Sequence, residues 1–492
     1  MSPLPTQRAL YDLSRAVGDP AALNLAFGLL LDGPFDADAL ERALQDWLRR
    51  HEPLRTAFHS ECDALSAEVT ADASLRLERG DLSTLRGCTG ENQLLEHFDA
   101  AVTCRIEEPP MLRAHCLLMA PDRHVLLLTF NHLAVDGWAL ELFGREIELL
   151  YQAHLARETP ALPPLPSRQL EEVERERRTW CISTRAHAEL ARRHQEFAGV
   201  SARMVQPYGR LHLGKGPMCR RVLGFTPEAL KRWKESGLRS GTTLVPAMVA
   251  AVAIALCRLL DLPQVVLGTL VANRHSALAQ RVAGAHYGGT ALRIVTNAGH
   301  PRAELPIGEI VNQAAAAVLD AMSHRLDMDE LAQLLGDCAG APEPLAPSCL
   351  VVTDRYPLHR LALEDITLTP IGTLLTPRVR FHSDAELRMP STAHLVVFLR
   401  QFAGTAGLTV FWNPDRVHHI DALIAEISHV LSPLGGELER YAAPSSDSPG
   451  KTAYLPDADG WSSVVPAVDA LSPLPLTAVR SGEQALPPAA AQ

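Results

Sequence analysis

The sequence predicts a mixed α/β fold (α+β in class) whose pattern recurs on either side of a linker, and three observations support that reading. Strand-like and helix-like apolar patterns alternate from residue 6 to residue 431. A proline-dense stretch, Thr159-Pro160-Ala161-Leu162-Pro163-Pro164-Leu165-Pro166, divides the chain, and the second half repeats the mixed pattern of the first. The length, 492 residues, suits two or three domains or one large two-lobed unit.

In chain order, residues 6–17 read as a short helix and Leu23 to Leu31 as a strand. Asp36 caps a helix that runs to Arg50 with Leu40, Leu44 and Leu48 on one face. Arg50 to Phe58 leads into a further strand. Met111 to Met119 and His124 to Phe130 are apolar segments joined by four turn residues, which predicts a β-hairpin. An amphipathic helix over Trp138 to His154 follows. Beyond the linker, a charged helix is expected from Arg168 to Phe197, and a strand over Val222 to Phe225. Thr226-Pro227 supplies the cap and first-turn proline of a helix ending near Ser236. Thr243 caps an apolar helix ending near Leu260; its longest apolar run, Leu244 to Cys257, is too short to span a bilayer and fits a buried helix. Strands are expected over Gln264 to Val271, His394 to Gln401 and Gly407 to Trp412, and a last helix over His419 to Leu431. The expected organisation is a first lobe over 1–158, a linker over 159–168, a second lobe over 169–435 and a Pro/Ala/Ser-rich tail over 436–492, read as mostly disordered.

Composition narrows the function classes. A chain with 47% hydrophobic and 21% charged residues is ordinary for a soluble globular protein. The net charge of −11 argues against nucleic-acid binding, which needs basic patches to neutralise phosphates. The opening Met1-Ser2-Pro3-Leu4-Pro5 has neither a charged region nor an apolar stretch, so the expectation is a cytoplasmic protein with no membrane role. Nine cysteines lie scattered without metal-site spacing, so reduced thiols and no metal are expected. No P-loop, G-x-S-x-G elbow or HExxH spacing occurs. His418-His419-Ile420-Asp421 pairs histidines with an aspartate but opens the last helix with no strand before it, so it reads as a solvated helix start.

The most informative stretch is Phe130-Asn131-His132-Leu133-Ala134-Val135-Asp136-Gly137-Trp138. An apolar strand ends at a polar turn before a helix, a common place to display a reactive side chain, and His132 is the catalytic candidate. The plain alternative is a strand ending in a solvated histidine with a turn made by Asp-Gly.

Four stretches resemble the condensation domains of nonribosomal peptide synthetases, within the superfamily of chloramphenicol-acetyltransferase-like acyltransferases. Leu4 to Tyr11 resembles the family's opening helix, and Arg50-His51-Glu52-Pro53-Leu54-Arg55-Thr56-Ala57-Phe58 its RHExLRTxF segment. Asn131 to Gly137 matches the HHxxxDG motif at every specified position but the first, where Asn131 stands. Gly284-Ala285-His286-Tyr287-Gly288-Gly289-Thr290-Ala291-Leu292-Arg293 is similar to the GxFVNTxxxR motif of the second lobe. The resemblance covers roughly residues 1 to 435; the family's Tyr/Trp-rich segment and its later Gln-Asp and Arg-Asn signatures are missing.

The resemblance implies two chloramphenicol-acetyltransferase-like lobes in a V-shaped pseudo-dimer with a central tunnel and His132 midway. It implies transfer of an acyl group from a carrier-protein phosphopantetheine thioester to an amine or hydroxyl, in a free-standing enzyme of nonribosomal peptide or other secondary-metabolite biosynthesis. No cofactor is expected on the protein itself. The phosphopantetheine arm comes from an acyl or peptidyl carrier protein, the acceptor is a small amine or alcohol, and the two lobes allow a monomer. Asp136 is implied to pair with an arginine of the second lobe, Arg293 first and Arg274 second, in a structural rather than catalytic role. Gly137 is implied to keep the turn close, where a side chain would crowd the tunnel floor. Trp138 reads as helix-face packing ahead of a tunnel-lining role, and Tyr287 and Thr290 are placed on the acceptor side. The small Gly288-Gly289 is expected to widen or bend the tunnel. Two rival readings are an acyl-CoA-dependent O- or N-acyltransferase of the same superfamily and a non-catalytic protein that recruits a partner.

Overall fold

The computed structural model describes residues 3–440 except 18–22, 62–63, 85–96, 98–103, 212–217, 226–227, 233–242, 298–303, 324–325, 327, 356–360, 362, 364, 375–385, 388–392, 403–404 and 433–437. The first half is built on the expected hairpin: β5, Leu112–Ala120, runs antiparallel to β6, Arg123–Asn131. From Val125 onward every residue of β6 is buried, so this strand has the near-continuous apolar run of a sheet centre covered on both faces. Strand β1, Asn24–Asp32, flanks β6 on its other side, and β4, Leu77–Asp81, pairs in parallel with β5. A two-stranded ribbon, β2 over Thr56–Glu61 and β3 over Ala64–Val69, stands apart.

Helix α1, Pro5–Val17, opens the half. Asp36 caps α2, Ala37–Arg50, by accepting the Ala39 N–H at 2.8 Å, and Leu40, Leu44 and Leu48 are buried as their spacing requires. Helix α3, Gly137–Ala156, follows β6. Trp47 of α2 meets Phe130 of β6 and Phe143 of α3 edge-on, at ring separations of 6.2 and 4.8 Å, and these three rings pin both helices to the sheet.

The single charged helix expected after the linker is two: α4, Gln169–Cys181, and α5, Thr184–Glu196. The break is local chemistry. The Ser183 hydroxyl accepts the Ala186 N–H at 3.1 Å, and a serine that caps a new helix ends the old one. After a short turn, α6 over Ala202–Val205, the second sheet begins with β7, Met218–Phe225. Helix α7, Leu244–Leu260, is buried from Ala247 to Cys257, which its all-round apolar sequence demands. Strands β8, Gln264–Val271, and β9, Gly288–Val295, precede helices α8, Ile307–Ser323, and α9, Met328–Ala339. Strand β10, Cys349–Arg355, β11, Thr367–Leu374, β12, Glu386–Leu387, β13, Leu395–Phe402, and β14, Thr405–Trp412, complete the strands before α10, Ile420–Leu431. The larger sheet has the order β12-β7-β14-β13-β10-β8-β9.

One strand crosses between the halves. β11 pairs antiparallel with β1, giving the first sheet the order β11-β1-β6-β5-β4. Without it the apolar β1 would be an open edge. The first core accordingly includes Leu361, Leu363 and Ile366 beside Phe27 and Leu31, so residues 169–435 do not pack as one separate body. Three residues of the tail expected from residue 436 are ordered as a strand: β15, Leu438–Arg440, pairs with β7. Residues 441–492 lie outside the described residues, as do the Thr226-Pro227 cap and the Ser236 end of the helix expected there; residues 228–232 between them are helical. No helix among the described residues is long and apolar enough to cross a membrane.

Candidate active site at the junction of the halves

The turn between β6 and α3 places His132 and Asp136 with different surroundings. His132 is anchored through its backbone, whose N–H donates to the Leu23 carbonyl at 2.7 Å. Its ring Nδ1 lies 2.7 Å from the Val135 carbonyl oxygen. A carbonyl only accepts, so Nδ1 carries the proton and Nε2 carries the lone pair. Nε2 has no partner from another residue among the described ones. Burial pushes the His132 pKa below its usual value, against the opposing pull of the Val135 carbonyl and Asp136, so the imidazole is neutral near pH 7. A neutral, correctly tautomerised imidazole with a free nitrogen can accept a proton or hold a nucleophile.

Asp136 turns the other way. Its Oδ1 accepts the Ala139 N–H at 2.8 Å, capping α3, and receives Arg274 Nη2 at 2.7 Å. Its Oδ2 accepts the His286 N–H at 3.0 Å. Burial alone raises the Asp136 pKa, but Arg274, His286 and the two backbone donors outweigh it and hold the carboxyl below its usual range. Arg274 in turn donates to the carbonyls of Val282 and Gly284 at 2.6 and 2.8 Å. The pair is therefore a buried joint between the halves.

Arg293, the first expected partner, does something else: it donates to Gln264 Oε1 at 2.7 Å and to the Ala198 carbonyl at 3.0 Å. Seven residues of mostly extended chain separate it from His286, roughly 23 Å at about 3.3 Å per residue, which is beyond the reach of a side chain. Arg274 follows β8 in the loop that folds back on the first half, and only it arrives.

The remaining candidates divide. Asn131 is buried, donating to Asn24 Oδ1 at 3.1 Å and accepting the Leu133 N–H at 3.0 Å, so it braces the turn from behind His132. Trp138 donates Nε1 to the Gln280 carbonyl at 3.0 Å, another tie between the halves. Tyr287 is half-buried and its ring lies 5.4 Å from that of His132, tilted by 31°. Its backbone carbonyl accepts from Thr6 Oγ1 at 2.7 Å. Thr290 is buried and accepts from Arg193 Nη2 at 3.2 Å, so its hydroxyl serves a tie to α5. The expectation that a side chain at Gly137 would crowd its surroundings is corrected as well: a Cβ there meets nothing within 4 Å, and the residue is exposed. Nor does Gly289 leave open width, because Met328 packs over it, with Cγ 3.1 Å from where a Cβ would stand.

Sequence reasoning missed a second joint. His51 is buried, sends Nε2–H to Glu146 Oε2 at 2.7 Å and accepts the Ala283 N–H on Nδ1 at 3.2 Å. Glu146 also receives Trp47 Nε1 and Arg50 Nε, each at 3.1 Å. One signal was available: Glu146 lies on the apolar face of α3 between Phe143 and Ile147, and a carboxylate there needs donors. Glu52 was likewise unassigned. Its carboxylate accepts the backbone N–H groups of Gln169 and Leu170 and so caps α4 across the linker, a role the Arg168 side chain does not fill. Gln7 ties α1 to the turn by donating to the Leu133 carbonyl at 2.8 Å.

Two sheets joined by a crossing strand, with a histidine turn at their junction, are the chloramphenicol-acetyltransferase-like fold of the condensation-domain structures. The condensation-domain model matches residues 2–339, and the chain belongs to that family. The chain is 27% identical over 434 residues to chondramide synthase cmdD of Chondromyces crocatus, a match covering 86% of this chain and 10% of that protein. It is 25% identical over 376 residues to bacitracin synthase 3 of Bacillus licheniformis, covering 75% of this chain and 6% of that one. It thus spans a tenth or less of either relative. Among solved structures, SgcC5 from Streptomyces globisporus superposes with a TM-score of 0.64 at 17% identity, over 84% of this chain and 92% of that one. The X-domain from teicoplanin biosynthesis gives 0.64 at 18%, over 88% and 94%. A mutant starter condensation domain of rhizomide synthetase RzmA, in complex with C8-CoA and Leu-SNAC, gives 0.66 at 17%, over 88% and 93%. The family belongs to nonribosomal peptide biosynthesis, and its members generally form amide bonds.

Proposed function

We propose that the protein is a condensation enzyme that moves an acyl group from the phosphopantetheine thioester of a carrier protein to an amine or hydroxyl. The observation that carries this reading is the state of His132, with Nδ1–H engaged by the Val135 carbonyl and Nε2 left with its lone pair. In the step, the acceptor nitrogen or oxygen attacks the thioester carbonyl. A C–N or C–O bond forms, the C–S bond breaks, and the sulfur leaves as the thiol with the proton released by the acceptor. His132 takes that proton at Nε2 or holds the acceptor in line. General-base help contributes roughly 10²–10⁴-fold, and orientation contributes more where the acceptor is already a good nucleophile. Asp136 takes no part in proton transfer, because both of its oxygens are held by Arg274, Ala139 and His286. Asn131 replaces a titratable residue with a brace, which leaves the proton chemistry to His132 alone.

A second reading, with acyl-CoA as donor, draws on the similarity to the RzmA domain bound to C8-CoA. Intact-mass spectrometry of acyl transfer separates the two. Donors are offered on carrier proteins and as acyl-CoA, with a panel of amines and alcohols, to wild type and His132→Ala. Turnover from the carrier-bound donor that is lost in the variant is the expected result. Turnover from CoA alone moves the protein to the second reading. Carrier binding without turnover in wild type makes it a recruitment protein, and turnover that survives His132→Ala removes the histidine from the mechanism.

A further inference from the structure

Tyr287 has a position the proposed chemistry does not yet use. It comes from the second half of the chain, yet its ring is set against the His132 ring at 5.4 Å with a tilt of 31°. Its main chain is fixed on both sides: the Tyr287 carbonyl accepts from Thr6 Oγ1, and the preceding N–H, that of His286, donates to Asp136. The Tyr287 side chain thus reaches His132 from a backbone that has little freedom to move. Its hydroxyl has no hydrogen-bond partner among the described residues, so the ring is held by packing and not by its polar tip.

We infer that Tyr287 is a positioning residue for His132: its ring forms one wall of the imidazole's site, keeps water from that face and holds Nε2 in its orientation. This rests on the reading of His132 as the working base, and it adds a device that the histidine turn does not contain. The hydrogen bond from Nδ1 restrains the torsion about the Cβ–Cγ bond through a single contact, and a neighbouring ring at 5.4 Å narrows that torsion further. The joint behind the turn cannot do so, because Asp136, Arg274 and His286 are spent on one another.

The surroundings also define what removal of the ring changes. Asp136 and Tyr287 neighbour His132, and Arg274 and His286 bear on Asp136 behind it. Asp136 and Arg274 offset each other as an ion pair, and His286 is held neutral, its pKa pushed down to about 3 by burial and then by Arg274. Burial is the main cause of the lowered His132 pKa. Opening the Tyr287 side to water therefore moves that pKa upward, toward the ordinary value.

The test needs no substrate. In protein with labelled histidines, the His132 imidazole is titrated by NMR in wild type, Tyr287→Phe and Tyr287→Ala. Its carbethoxylation by diethyl pyrocarbonate is followed in parallel by peptide mass mapping at fixed pH. Tyr287→Ala is expected to raise the His132 pKa and speed its carbethoxylation several-fold, while Tyr287→Phe, which keeps the ring, stays at the wild-type values. Unchanged titration and reactivity in Tyr287→Ala overturn the inference, and so does a Tyr287→Phe variant that behaves like the alanine one. Should Tyr287→Ala fail to fold by circular dichroism, wild type and Tyr287→Phe decide. Cross-peaks between the two rings with upfield-shifted His132 protons support the clamp, and their absence overturns it. Because neither readout requires turnover, a silent acyl-transfer assay with a positive ring test separates failure of the proposed reaction from failure of this one.

Discussion

His132 and Asp136 are four residues apart on one turn, and the protein treats them in opposite ways. Asp136 is held on every side: a helix N-terminus, a guanidinium from the other half and a backbone N–H use both of its oxygens. His132 is held on one ring nitrogen only, and it is half-buried with the Tyr287 ring 5.4 Å away. The contrast teaches how one short turn serves two ends. A side chain whose bonding capacity is filled is architecture. A side chain with one site filled and one left open is available for chemistry.

The largest effect that would break this comparison is at Asp136. Asp136→Ala leaves Arg274 buried without its counter-charge, which costs about 3–5 kcal/mol. The expected outcome is poorly soluble protein or a large fall in melting temperature; a folded variant melting with wild type would show the joint to be dispensable. His132→Ala should do the reverse. Activity is expected to fall by roughly 10²–10⁴ while the melting temperature barely moves, measured by acyl transfer and calorimetry on one preparation. Equal losses in both would erase the distinction between the two residues.

Asn131→Ala tests whether the first motif position is a brace. It removes a donor to Asn24 and an acceptor for the Leu133 N–H, at a cost of about 1–3 kcal/mol read as a shift in urea midpoint. A variant as stable as wild type but inactive would return Asn131 to the chemistry.

Acid sharpens the same comparison. His51 and His286 are buried and neutral, their pKa values lowered chiefly by burial, that of His286 to about 3. The unfolded chain therefore binds protons that the folded chain refuses. The stability from these groups is complete above about pH 6.5 and is lost as pH falls below it, by about 1.4 kcal/mol per pH unit for His286 down to its folded value of about 3, with His51 adding in the same direction. Asp136 and Glu146, also lowered, add a further loss below their ordinary range. Urea midpoints should thus fall between pH 6.5 and 5; a flat profile there would contradict the burial of these histidines. The smallest effect is at Gly137. Alanine there meets no atom and favours the helix, so stability is expected to stay level or rise by up to about 1 kcal/mol. A loss of turnover without a loss of stability would mean that substrate occupies that space.

Much of this was legible because it is local. The apolar run before Asn131, the Asp-Gly pair and the periodic face after it placed His132 between strand and helix without any long-range information. The Asp36 cap and the Leu40/Leu44/Leu48 face of α2 were legible for the same reason. Ser183 could have been read as a cap and was passed over, because the charged pattern continues through it. Glu146 was missed because a single carboxylate on an apolar face names no partner.

What the sequence by itself determined is therefore most elements of the first half, the apolar helix and the late strands of the second, the turn that presents His132 and the family to which the chain belongs, since each depends on spacing along the chain. Only the tertiary structure decided that Arg274 and not Arg293 meets Asp136, that Thr290 serves α5, that β11 completes the first sheet and that Tyr287 lies on His132. These are contacts between residues far apart in the chain, most of them separated by more than a hundred positions. Which of two arginines reaches a buried carboxylate depends on strand register and on the path of a loop, and neither leaves a periodic trace in the chain.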